Sequence, residues 1–188
     1  MAKDTRQQMI EGTVQLLATG GLHQTSFATV LEKTGAPRGS IYHHFPDGKD
    51  QLVSEAVALQ GARSIAMIQV WRGEAAPVIA ERFLNAWRGL LTATNFSAGC
   101  AVLAVTTSTD SAEVLDDTAT VFRTWREELA SLMIEGGLPD RHAPGIAAML
   151  IAAAEGAVVM CRAERRIDIF DDVTAEVLAR VAALVEEG

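Results

Sequence analysis

The chain has 188 residues, 49% of them hydrophobic, and a net charge of −8. That apolar content excludes a disordered chain, and two cysteines, Cys100 and Cys161, are too few for a disulfide framework. Charges balance across residues 1–52 (Lys3, Arg6, Lys33, Arg38 and Lys49 against Asp4, Glu11, Glu32, Asp47 and Asp50), so the acidic excess lies in 53–188; any phosphate-binding surface has to gather its cations on one face, and the balanced N-terminal part permits that.

Apolar residues at Met9, Ile10, Val14 and Leu17 have helical spacing, and Gly20–Gly21 ends that first helix. Thr25 or Ser26 caps a second helix, with Phe27, Val30 and Leu31 inward, that stops at Thr34–Gly35. Pro37 suits the first turn of a third helix running to about His44. "FPDGKD" is a turn with Asp47 as a possible cap for a long fourth helix over about 48–71. Further helices are expected at about 76–94, 98–108, 111–136, 142–166 and 170–187, giving about nine in all. Residues 143–161 could span a membrane by length. Nearly half of the run is Ala and Gly, which insert weakly, and it contains Glu155, so a buried bundle helix is expected, with no membrane partner. The opening "MAKDTRQQMIEGT" lacks the apolar core of a signal peptide, and a cytoplasmic location is expected. The fold class is all-α.

Helices two and three, joined at Gly35, form a helix–turn–helix, whose second helix enters the DNA major groove. That accounts for "RGSIYHHF", residues 38–45. Ile41 and Phe45 are i and i+4 and face inward, leaving Arg38, Gly39, Ser40, Tyr42 and His43 outside. Gly39 lets the backbone approach a duplex, and Arg38 and Ser40 can reach base edges or phosphates. Tyr42 and His43 can donate to phosphate, Thr25 and Ser26 can present hydroxyl and backbone N–H groups, and Lys49 is a compact phosphate contact. A metal site at His43–His44 is disfavoured: adjacent helical side chains diverge by about 100°, and no third ligand is spaced nearby. His44 is expected half-buried against the first helix.

"TSFATVLEKTGAPRGSIYHHFPDGKDQLVSEAV" resembles the N-terminal domain of TetR-family transcriptional repressors, in an ordered match over about residues 5–57. One departure is Ala36–Pro37, where the family often has a capping serine; a capping or phosphate contact is expected to be lost. "NFSAGCAVLAVTTSTD" (95–110) is similar to the start of the C-terminal domain in the lincomycin-resistance repressor branch, with Ala101 where a proline is usual. The resemblance implies a helix–turn–helix DNA-binding domain at 1–50 and an effector-binding and dimerisation domain at 51–188. It implies a homodimer on near-palindromic operator DNA, released by a small apolar or aromatic effector. Candidate pocket residues are Phe83, Trp87, Phe96, Cys100, Thr106, Phe122, Trp125, Met149 and Met160, since aromatic and Met side chains make adaptable walls. The last two helices read as the dimer seam, with Val173, Val177, Leu178, Val181, Leu184 and Val185 as an apolar face on the final one. No catalytic residue, cofactor or metal is expected. Cys100 would need a base, and His142, the histidine outside the N-terminal unit, lies in a Pro-flanked turn. The rivals are a DNA-binding regulator without a small-molecule effector and a helical ligand-binding protein or enzyme.

Overall fold

The computed structural model describes residues 5–187, which form nine α-helices and no strand among the described residues. They are α1 (Thr5–Gln24), α2 (Phe27–Thr34), α3 (Arg38–His44), α4 (Lys49–Gln69), α5 (Ala76–Ala93), α6 (Ala101–Thr106), α7 (Ala112–Glu135), α8 (Ala143–Glu164) and α9 (Asp168–Glu186). The expected boundaries recur within a few residues. The break at Gly21 is a left-handed kink (φ 71°) inside α1. Pro37 caps α3 from just outside its first turn, at φ −61° and ψ 136°.

Packing groups the helices into two units. One comprises the chain through Arg63 together with Cys100–Phe122; the other comprises Ser64–Gly99 and the chain from Arg123 on. This grouping is one of packing, whereas the division expected at residue 50 is one of function. In the first unit α1 is the hub, packing against α2, α3 and α6. Its stripe of Met9, Ile10, Thr13, Val14 and Leu17 is buried, and the Thr13 hydroxyl is satisfied by donating to the Met9 carbonyl at 2.8 Å.

In the second unit α5, α8 and α9 pack on one another. α8 is long and apolar enough to cross a membrane by length and composition. Its Ile146, Leu150, Ala154 and Val158 are nonetheless buried within the fold, which reads as a core helix. α9 differs from expectation. Phe170, Val177, Val181 and Leu184 are buried inside the protomer, so three of the six residues assigned to the seam on this helix serve the protomer's own core, while Val173, Leu178 and Val185 are half-buried. Packing on α5 and α8 covers it first. The other helix read as the seam, α8, carries an exposed strip: Ala152, Gly156, Val159, Met160 and Ala163.

Two contacts hold this unit at its edges. The Ala76 N–H donates to the Gly136 carbonyl at 2.8 Å, joining the start of α5 to the end of α7. A Cβ on Gly136 would lie 2.6 Å from Ala76 N and from the Glu74 carbonyl oxygen, which are backbone atoms that cannot swing aside. Gly136→Ala is therefore expected to destabilise the protein by about 1–3 kcal/mol, read by denaturant unfolding. At the other edge Arg88 on α5 donates Nε and Nη2 to the two Asp171 oxygens on α9, at 2.7 and 3.0 Å. The guanidinium holds the Asp171 carboxyl below its ordinary value. A depressed carboxylate contributes stability above its unfolded pKa and loses it as pH falls through the folded one. Asp171→Asn should thus lower the thermal midpoint at neutral pH, and the difference should close below about pH 4.

Candidate nucleic-acid interface

A seven-residue helix is too short to hold itself, so α3 depends on what anchors it. Ile41 (0% exposed) and Phe45 (1%) face inward, one turn apart. The Arg6 guanidinium of α1 sits 5.4 Å above the Phe45 ring and pairs with Glu55 of α4 at 2.6 Å. α2 is fixed at both ends. The Thr29 N–H donates to Ser26 Oγ at 3.2 Å, and the Ser26 N–H donates to Thr29 Oγ1 at 2.8 Å. At the far end Gly35 adopts φ 68°, and its N–H donates to the Leu31 carbonyl at 2.9 Å. Glycine takes that left-handed cap without steric cost, and it sets the turn into α3.

With α3 so held, Arg38, Gly39, Tyr42 and His43 are exposed on it, and Ser40 is half-buried. Nothing stands within 4 Å of a Cβ built on Gly39, so the backbone there is open to close approach. The Ser40 hydroxyl donates to the Pro37 carbonyl at 2.6 Å. Pro37 itself supplies no side-chain cap, as the Ala36–Pro37 departure led one to expect. His44 is half-buried, and its ring lies 5.3 Å from that of His43. Among the described residues no group of three or more His, Cys, Asp and Glu side chains is placed to hold a metal.

Three residues play parts the sequence did not suggest. Thr25 is 1% exposed, and its hydroxyl donates to the Gly21 carbonyl at 2.9 Å. It seals the kink inside α1 and is too buried to present its hydroxyl to phosphate. Lys49 Nζ donates to the Leu22 carbonyl at 3.1 Å, tying the start of α4 to that same kink. An ammonium has three donors, so others remain for an anion. Phe27, expected inward, is half-buried and meets Tyr42 edge to face, with centroids 5.4 Å apart and planes at 83°. Tyr42 is 69% exposed, so this ring contact is what directs its phenol outward. Their spacing across the turn carries no periodic signal by which sequence could pair them. Between α2 and α3 lies a groove of about 640 Å³, walled in part by Phe27, Ala28, Leu31, Ala36, Arg38 and Tyr42.

The nine pocket candidates divide between the units. Cys100, Thr106 and Phe122 fall in the first; Phe83, Trp87, Phe96, Trp125, Met149 and Met160 fall in the second. Phe83, Cys100 and Trp125 are buried, and Met160 is 43% exposed on the α8 strip. Thr106, Trp87, Phe96, Phe122 and Met149 are half-buried. Phe96 lines a groove of about 610 Å³ together with residues of α8, among them Arg162.

Residues 9–56 match the family described as bacterial regulatory proteins, tetR family. Residues 77–176 match the C-terminal domain described as transcriptional regulator LmrA/YxaF-like. An uncharacterised HTH-type transcriptional regulator of Mycobacterium tuberculosis is 32% identical over 173 residues, 88% of each chain. The uncharacterised HTH-type transcriptional regulator YxaF of Bacillus subtilis is 28% identical over 161 residues, 84% of each. In fold, the chain is similar to a regulatory protein TetR from Rhodobacter sphaeroides, with a TM-score of 0.82 at 21% identity, over 93% of this chain and 97% of that one.

If the Phe27 edge acts through Tyr42, Phe27→Leu should weaken binding to DNA selected from random duplexes by about 0.5–1.5 kcal/mol. The same change in a Tyr42→Ala background should then cost nothing further. A double-mutant cycle by fluorescence anisotropy reads this, and additive losses would assign Phe27 a separate role.

Proposed function

Since the chain belongs to the TetR family of DNA-binding transcriptional regulators, with a C-terminal domain of the LmrA/YxaF-like kind, we propose that it is a dimeric repressor released from a near-palindromic operator by a small apolar or aromatic effector. The observation that carries the reading is the outward array on α3, Arg38, Gly39, Tyr42 and His43, over the buried pair Ile41 and Phe45. Arg38 offers two donors suited to guanine O6 and N7, while Tyr42, His43 and Lys49 supply phosphate contacts that set register. Ser40 and the N-terminus of α2 behind Ser26 add to the backbone contacts. Thr25 acts from behind by fixing the kink that positions α2.

The dimer seam we assign to the exposed α8 strip. Gly156 and the alanines leave no side-chain bulk there, and Val159 and Met160 are 53% and 43% exposed. A two-fold dimer repeats α3, which is why the operator is expected to be near-palindromic. Release works by population shift: an effector preferring the DNA-incompetent state loosens binding only by its differential affinity for that state. Phe83, Trp87, Trp125 and Met149 are the adaptable apolar walls assigned to it. In this reading α6 is a route to the DNA-binding unit, because it packs on α1.

Operators selected from a random-sequence duplex pool test this reading. The selected sites should be near-palindromic. Arg38→Ala should cost about 1–3 kcal/mol and relax the preference at one base pair of each half-site. Met160→Glu should sediment as a monomer and bind those sites poorly. A Met160→Glu protein that stays dimeric would move the seam off this strip.

A further inference from the structure

Ala28 and Glu32 are i and i+4 on α2, and Arg38 and Tyr42 are i and i+4 on α3. All four are exposed, and all four line the groove of about 640 Å³ between the two helices. One side of α2 therefore shares an opening with the side of α3 assigned to base reading. Gly35 and Ala36, at the turn, line it too, so the last turn of α2 stands beside Arg38, the first residue of α3. In a helix–turn–helix that N-terminal end of the second helix is the one that meets base edges.

Local terms disfavour a carboxylate at this point. Glu32 lies in the last turn of α2, where the helix dipole is unfavourable to an anion. It also lines a groove whose proposed partner is a polyanion. Lys33, next in the chain, lines a separate groove with Gln8, Glu11 and Gln15 of α1, so its ammonium is not placed in this one. Both terms count against Glu32 unless the duplex supplies a hydrogen-bond donor to it.

We propose that Glu32 is a specificity-determining residue, accepting a hydrogen bond from the N4 amino group of one cytosine in each half-site. The inference rests on the operator reading. An ionised carboxylate only accepts hydrogen bonds, and cytosine offers the N4 amino donor in the major groove. Adenine has an amino group there as well, but the N7 acceptor beside it repels a carboxylate. Guanine and thymine present acceptors. Arg38 supplies the complementary half, because its fork matches guanine O6 and N7. A groove with a guanidinium on one wall and a carboxylate on the other thus fits a G·C step from both sides. Against DNA that lacks the donor, the same carboxylate costs affinity, which widens the gap between operator and unrelated duplex.

Site selection from a random duplex pool, run with wild type, Glu32→Ala and Glu32→Gln, tests the assignment. Wild-type sites should carry a fixed cytosine at one position of each half-site. Glu32→Ala should lose that preference, and Glu32→Gln should accept adenine there as well, since an amide fits N6 and N7. In anisotropy titrations, exchanging the C·G pair should weaken wild type about tenfold and Glu32→Ala less than about twofold. Both variants should bind an unrelated duplex more tightly than wild type, because one repulsion is gone. A residue with a merely structural role would instead lower affinity for operator and unrelated duplex alike, and that result overturns the proposal. So does a Glu32→Ala protein that still selects the cytosine. If wild type selects no site at all, the operator reading fails and this inference falls with it.

Discussion

The burial of Ile41 and Phe45 beneath a seven-residue helix is the constraint from which the outward face of the head follows. Burying two such side chains is worth roughly 2 kcal/mol each, more than a helix of that length can supply from its own hydrogen bonds. The identity of the four exposed groups on α3 is therefore separable from the fold, while their direction is not. Everything that braces the pair acts on that direction: the Arg6 guanidinium above Phe45, its ion pair to Glu55, and the Gly35 cap that sets the angle of entry. Lys49 and Thr25 brace the other side, both bonded to carbonyls at the Gly21 kink.

Electrostatics divides the labour along the chain. A protein with net charge −8 can approach a polyanion only if its cations are gathered on one face. Here the lysines and most histidines lie in the N-terminal part, which keeps the acidic remainder from having to neutralise phosphate. Within that remainder the arginines largely hold the fold. Arg72 bonds Glu128 at 2.9 Å and also Glu135, and Arg88 bonds Asp171 through two donors.

The all-helical fold was legible in sequence because its punctuation is local. Gly21, Ser26, Gly35 and the Pro-flanked turns each act within a few residues, and the stripe on α1 has an unmistakable period. Family membership was legible for the same reason, since the motif from Thr25 to Val57 is contiguous. What stayed hidden depends on contacts between segments. An apolar stripe on α9 looks alike whether it meets its own protomer or a partner, and burial at 0% shows that Val181 meets its own protomer. Likewise nothing in the residue type of Thr25 or Phe27 tells that one turns inward to a carbonyl and the other steers Tyr42. The left-handed backbone at Phe96 and Arg165 runs against the preference of those residues, so sequence reasoning could only have predicted otherwise there.

The inward turn of α9 has a consequence for gene control. A protomer whose Phe170, Val177, Val181 and Leu184 are already covered keeps its core when it parts from a partner. In the proposed dimer, assembly would be a reversible equilibrium rather than a condition of folding. In the proposed dimer, occupancy of the operator would rise more steeply than in proportion to the number of molecules in the cell. A modest change in synthesis or turnover would then move the switch as surely as the proposed effector.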